Sequence, residues 1–188
     1  NVILPRRTFE YRCPRPLRYG ARSMHRLAYQ ATRVTCRLIL GAVTQTHVLH
    51  RERSARPGAF ILLANHISHF DPPFITVAAR RKVDWMAMSE MFENRLVRVW
   101  LWSVDTFSVD RFQADRAAVR VALERLRRGH VVGIFPEGGI RDGVHSILEA
   151  EPLPPGIGAL ASLSGGPVVP WVVVGSDQLY GHPNWFPL

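Results

Sequence analysis

Between residues 59 and 174 the chain alternates between two hydrophobic periods. Short apolar runs read as strands: Phe60 to Leu63, Val83 to Met88, Val104 to Val109, Val131 to Phe135 and Val168 to Val174. The stretches between them repeat apolar residues three and four apart, as helices do. Phe74 to Ala79 can begin one helix, and Ser89 can cap another over Glu90 to about Trp100. Residues 113 to 128 put Val119, Ala122, Leu123 and Leu126 on one face before Gly129 stops them, and Ile157 to Leu163 makes a shorter helix. Short apolar strands alternating with helices predict an α/β fold, a mainly parallel or mixed sheet flanked by helices.

Upstream the period is purely helical. From about Ser23 to Val43, Met24, Leu27, Ala28, Ala31, Val34, Thr35, Leu38 and Ile39 recur at three and four residues, and Arg22, Arg26, Arg33 and Arg37 supply the polar positions. A basic amphipathic helix of this kind either lies in a membrane interface or covers a core, and the pattern leaves both open. The first twenty residues are basic and punctuated by proline, a composition that favours extended or poorly ordered chain. The expected division is a basic segment over 1–56 carrying the amphipathic helix, then an α/β domain over 57–188 opened by the turn Pro57-Gly58. With no initiator Met and no stop signal near Phe186-Pro187-Leu188, the 188 residues read as a fragment, truncated at the C-terminus.

Charge sharpens this division. Residues 1–60 hold twelve Arg against Glu10 and Glu52, while the rest holds eleven Arg and Lys82 against thirteen acids. The whole excess of +9 therefore sits in the first third, which suits contact with anionic lipid or nucleic acid. Cys13 and Cys36 make no disulfide framework and no zinc spacing, and read as free thiols in a reducing compartment. The longest uncharged stretch, Pro152 to Ser176, is broken by five prolines and several glycines, so membrane contact is expected to be interfacial rather than spanning. No secretory signal is evident at the start.

The candidate chemistry gathers where strands end. Asn65-His66-Ile67-Ser68-His69-Phe70-Asp71-Pro72-Pro73 follows the first apolar run, so His66 lies on a strand-leaving loop and Asp71 fits the N-cap of the next helix, with Pro72 in its first turn. On a continuous helix His66 and Asp71 would stand roughly 140° apart, but across a strand-to-helix turn they can meet. A carboxylate on one imidazole nitrogen fixes the tautomer and leaves the other nitrogen to take a proton from a hydroxyl. The plainer reading is a structural histidine and a simple cap. His66, His69 and Asp71 also admit a metal-ligand reading, disfavoured by their crowded spacing, so no metal is expected. Arg111 and Glu137 follow two further strands, which brings three chemistry-bearing residues to the carboxyl edge of one sheet.

The order of the blocks is itself informative. N-H-x-x-x-x-D-P, then Val109-Asp110-Arg111, then Phe135-Pro136-Glu137-Gly138-Gly139, then Pro167-Val168-Val169-Pro170, resembles the glycerophospholipid acyltransferase superfamily, that of 1-acylglycerol-3-phosphate acyltransferase, over about residues 58–176. The resemblance implies transfer of a fatty acyl group from acyl-CoA or acyl-carrier protein, a co-substrate and not a cofactor, to a hydroxyl of a lysophospholipid-like acceptor. It implies His66 and Asp71 as the general-base dyad. Arg111 is implied at the acceptor phosphate, and Glu137, Gly138, Gly139 and Arg141 in the acceptor site. Pro170 is implied in the acyl or substrate pocket. A peripheral place on the cytoplasmic face of a membrane follows, with an anionic surface as partner and no nucleic acid. The chain departs from the pattern in three places. The glycine usual before Arg111 is absent, Arg141 is displaced by one position, and Pro154-Pro155-Gly156 stands where a basic residue is usual. The alternatives are a different lyso-lipid or glycerol phosphate as acceptor, or a noncatalytic module binding anionic lipid or nucleic acid. Such a module has no need of a His–Asp pair converging with Arg111 and Glu137.

Overall fold

In the computed structural model, residues 19–110, 112, 115–141, 153 and 155–181 are described. Five strands form one sheet: β1 (Phe60–Ala64), β2 (Val83–Met88), β3 (Phe107–Val109), β4 (Val131–Ile134) and β5 (Val168–Trp171). Their order is β3-β2-β4-β1-β5 and every pairing is parallel. All five carboxyl ends therefore share one edge. The helices are α1 (Tyr19–Val43), α2 (Asp71–Ala78), α3 (Arg95–Ser103), α4 (Arg116–Arg127) and α5 (Pro155–Ser164).

Alternation along the strands builds a core on each face. On one, Phe60, Leu62, Ala64, Trp85 and Val169 pack with Ile75 and Ala79 of the α2 layer. On the other, Ile61, Val132 and Ile134 pack with Ala122 and Leu126 of α4 and Leu160 of α5. Burial of both faces explains why the strands read as continuous apolar runs rather than as alternating ones.

Several expected boundaries move, each for a local reason. The run from Val104 gives a strand only from Phe107, because α3 extends to Ser103 and Asp105 turns the chain in the left-handed region (φ 61°). The last strand stops at Trp171, because the Asn65 side chain takes over both backbone groups of Val173. Ser89 opens a short 3₁₀ turn (Ser89–Phe92), and it is Asn94 that caps α3, its oxygen accepting from Leu96 N and Val97 N. Asp115 caps α4 in the same way, and Gly129 (φ 83°) ends it as expected.

For helix α1 the pattern left open whether its apolar stripe covers a core or faces outward. Its apolar stripe exists but does not face the domain: Leu27 is 71% exposed, with Met24, Val34, Leu38 and Ile39 also exposed. The helix docks by another face, with Tyr29 only 3% exposed, its hydroxyl accepting from Val83 N, and Leu40 buried. Arg33 donates to Val77 O and Ala79 O at the end of α2. Cys36 is a free, half-buried thiol whose pKa burial pushes up, while Cys13 lies outside the described residues. Among the described residues no helix is long and apolar enough to cross a membrane.

Candidate active site

The loop from β1 to α2 is tied down at each polar position. Asn65, fully buried, donates to Val173 O (2.8 Å) and accepts from Val173 N (2.7 Å), so it stitches β1 to the chain leaving β5. His66 follows at the carboxyl edge. Its Nδ1 lies 2.9 Å from Asp71 Oδ2, and the same oxygen accepts from Ile67 N and Ser68 N, both at 2.8 Å. The second oxygen, Oδ1, accepts from the buried Ser176 hydroxyl. Asp71 is fully buried, and its donors replace the water it has lost.

Asp71 is not the N-cap the sequence suggests. Phe70 is the cap, without a side-chain bond, and Asp71 begins the helix. A cap at Asp71 would serve the amides of residues 73 and 74, but Pro73 carries no N–H and the Phe74 N–H already donates to Phe70 O (2.9 Å). The carboxylate turns back over its own loop instead, where two amides and an imidazole await it.

With Asp71 accepting, Nδ1 carries the ring proton and Nε2 presents its lone pair. The ring is 16% exposed, so it is reachable yet largely shielded. It stacks on Phe135 (centroids 4.2 Å apart, 24° between planes), and Phe135 stacks on Trp85 (5.0 Å, 6°). Trp85 in turn lies flat across Gly133, its pairing partner on β4, where a Cβ would meet the indole at 2.6 Å. The indole N–H donates to Thr76 Oγ1 of α2 (3.0 Å). Three rings and a glycine thus carry the orientation of His66 down into the core.

The turn after β4 completes the clamp. Glu137 Oε2 accepts from His66 N (2.9 Å), and Arg141 N donates to His66 O (2.7 Å). Gly138 sits at φ 66°, which a residue with a Cβ rarely adopts, and its N–H closes the turn onto Phe135 O. Gly139 and the exposed Arg141 follow on the same turn. The one-residue displacement of Arg141 therefore still leaves its backbone against His66. Arg111 lies outside the described residues, although β3 ends at Val109 on this edge. Pro170 is not brought to the dyad. It is exposed on β5, on the sheet face opposite Val169, which shares a core with Phe135.

His69 does not join His66 and Asp71 as a ligand set. Its Nδ1 and backbone N both meet the Tyr180 hydroxyl. No group of three or more His, Cys, Asp or Glu able to hold a metal occurs among the described residues. Sequence reasoning missed Ser176, Tyr180 and the ring stack. The aromatic Phe135 at the end of β4 was visible in the sequence, but its partners were not.

A parallel α/β domain with a buried carboxylate behind a strand-end histidine defines a class, and comparison gives it a family. Residues 45–174 match the Acyltransferase family, and the chain belongs to it. Among its relatives is 1-acyl-sn-glycerol-3-phosphate acyltransferase of Bacillus subtilis (strain 168), 25% identical over 135 residues, which cover 71% of this chain and 65% of that protein. The crystal structure of PlsC, the 1-acyl-sn-glycerophosphate (LPA) acyltransferase of Thermotoga maritima, shares the fold with a TM-score of 0.67 at 20% identity, over 90% of this chain and 67% of that one. The chain thus spans about two thirds of the length of each.

Proposed function

We propose that this chain carries the catalytic domain of a peripheral membrane acyltransferase. It moves a fatty acyl group from acyl-CoA or acyl-carrier protein to the free hydroxyl of a lysophospholipid, with 1-acylglycerol-3-phosphate as the leading acceptor. The observation that carries this reading is the His66–Asp71 pair, 2.9 Å apart at the carboxyl edge of the sheet and held by four donors on the carboxylate. In the proposed step His66 Nε2 takes the acceptor's hydroxyl proton as that oxygen attacks the thioester carbonyl. A C–O bond forms, the C–S bond breaks, and the imidazolium returns its proton to the departing thiolate. Neither serine nor cysteine nucleophile is needed. Arg111 and Arg141 are the candidate grips on the acceptor phosphate, and Glu137, Gly138 and Gly139 shape the turn beside it. Pro170 is assigned to the acyl pocket only by resemblance.

The outward apolar stripe and exposed arginines of α1, Arg26 and Arg37, support an interfacial seat on an anionic membrane, which we place on the cytoplasmic face. The test is thioester consumption with a panel of acceptors: lysophosphatidic acid, other lyso-lipids and glycerol phosphate. Lysophosphatidic acid should react fastest. His66→Ala should lower the rate about 10²–10⁴-fold without unfolding the domain, and a chelator should leave it unchanged. No thioester consumption with any acceptor, or loss on chelation restored by zinc, sinks the reading.

A further inference from the structure

Helix α3 leaves a second apolar face uncovered. Leu96 is 82% exposed, and Val99 and Trp100 lie beside it on the same side, while Leu101 faces inward. This face adjoins α1, since Trp100 Nε1 donates to Thr32 Oγ1 (3.3 Å). At about 100° per residue, the α1 residues turned to the domain (His25, Tyr29, Thr32, Cys36, Leu40) and the exposed apolar ones (Met24, Leu27, Val34, Leu38) centre roughly 160° apart. The two flanks between them differ. On the side of Arg33, which reaches α2, stand Arg26, Gln30 and Arg37. On the side of Thr32, which reaches α3, stand Ala28, Thr35 and Ile39, none of them charged. The stripe of α1 therefore runs without a charged break onto Trp100, Val99 and Leu96.

We infer that α1 and α3 form one membrane-docking platform, and that α3 is a second inserted element beside the N-terminal helix. The inference rests on the interfacial reading of α1 given above and extends it to a helix inside the α/β domain. The occupant is a lipid surface with anionic headgroups. Charge argues for it: Arg26 and Arg37 border the α1 stripe, Arg95 is exposed in the first turn of α3, and the Arg98 guanidinium lies over the Trp102 ring at 5.5 Å. An apolar patch rimmed by arginines, with tryptophans at its margin, matches the interfacial layer of a bilayer. The start of α3 lies close to the carboxyl end of β2, so Leu96 stands near the edge that carries His66. Docking through α3 brings that edge towards the lipid that would supply the acceptor.

The experiment uses the full chain with vesicles of phosphatidylglycerol and phosphatidylcholine, with and without brominated acyl chains. Brominated vesicles should quench part of the tryptophan emission of the wild type, and Trp100→Phe should lose most of the quenched part. Leu96→Glu combined with Val99→Glu should weaken vesicle binding about tenfold or more, as should Leu27→Glu combined with Leu38→Glu. Circular dichroism and thioester consumption on a short-chain, monomeric acceptor serve as controls and should be unchanged in the α3 variant. Loss in the α1 variant alone, with Trp100 unquenched, overturns the platform and leaves α1 as the anchor. A wild-type dimer in sedimentation that the α3 variant abolishes, again with Trp100 unquenched, assigns the face to a second copy and also overturns it. The acyltransferase reading is separable, because quenching of Trp100 does not depend on turnover.

Discussion

At the scale of single residues, the dyad is better described as a carboxylate with four donors than as a pair. Three donors share Oδ2, and Ser176 alone serves Oδ1. Ser176→Ala should leave that oxygen buried and short of a partner, at a cost of about 1–3 kcal/mol in stability. Asp71 would then be held less firmly behind the His66 ring, so kcat should fall with KM little changed. Ser176→Thr should restore kcat. An unmoved kcat in Ser176→Ala would make Ser176 an anchor of its loop and nothing more. The two arginines form a second residue-level question. Arg111 matches its sequence block in register, whereas Arg141 is the one whose backbone meets His66. A hydrogen bond to a charged group contributes about 1.5–3 kcal/mol, roughly ten- to a hundredfold in affinity. Each Arg→Ala variant should be assayed on phosphorylated and unphosphorylated acceptors. We expect Arg111→Ala to raise KM for the phosphorylated acceptor alone by that factor, and Arg111→Lys to recover part of it. Equal harm to both acceptors would make Arg111 structural, and discrimination by Arg141→Ala alone would move the phosphate to Arg141.

At the scale of elements, the sheet holds the His66 ring through the Gly133–Trp85–Phe135–His66 stack. Gly133→Ala puts a methyl 2.6 Å from the indole and from Val83, an overpacking that costs about 1–3 kcal/mol. It should also lower kcat, because a displaced indole moves Phe135 and with it His66. Trp85→Phe in the Gly133→Ala background should recover part of the stability, and a double-mutant cycle measures the coupling. Simple additivity would refute the contact. None of this stack could be read from the chain, because the pairing of Trp85 with Gly133 depends on the strand order β2-β4, which no local pattern encodes. What was legible was local or periodic. The five apolar runs gave five strands, and Gly129 gave the end of α4. The strand-end placement of His66 and Glu137 brought them to one edge. The failures came where a local signal met a competing partner. Asp71 was drawn off its capping role by amides upstream and by a proline with no N–H downstream. In α1 the hydrophobic period was legible and the direction of its face was left open, since period alone does not say whether protein or lipid lies against it.

At the scale of the whole molecule, the end of the sheet opposite His66 is closed by ions rather than by apolar packing. Asp84, on β2 and 2% exposed, meets Lys82 Nζ at 2.9 Å, Arg125 of α4 at 3.0 Å and His130 Nδ1 at 2.8 Å. Lys82 also pairs with Asp105, which takes His25 of α1 at 2.8 Å, so one network links α1, β2, α4 and the turns before β3 and β4. Burial alone would push the Asp84 carboxyl up, but the bond from His130 and the charges of Lys82 and Arg125 outweigh it and bring it down to about 2. A carboxyl whose folded pKa lies below its unfolded value favours the folded state above both. Its contribution, about 2 kcal/mol for a fall from 3.8 to about 2, is complete above about pH 5 and is lost as pH drops towards 2. Asp84→Asn removes it and leaves Lys82 and Arg125 facing a neutral amide, so at pH 7 the variant should be weaker by about 3 kcal/mol. Urea denaturation of both proteins at pH 5 and pH 2 isolates the ionic part. The gap between them should narrow by about 2 kcal/mol on acidification, because at pH 2 the wild-type Asp84 is about half protonated when folded and most of its contribution is gone. A gap that stays constant with pH would mean that Asp84 contributes shape and neutral hydrogen bonding only, and that the elements at this end are held without its charge.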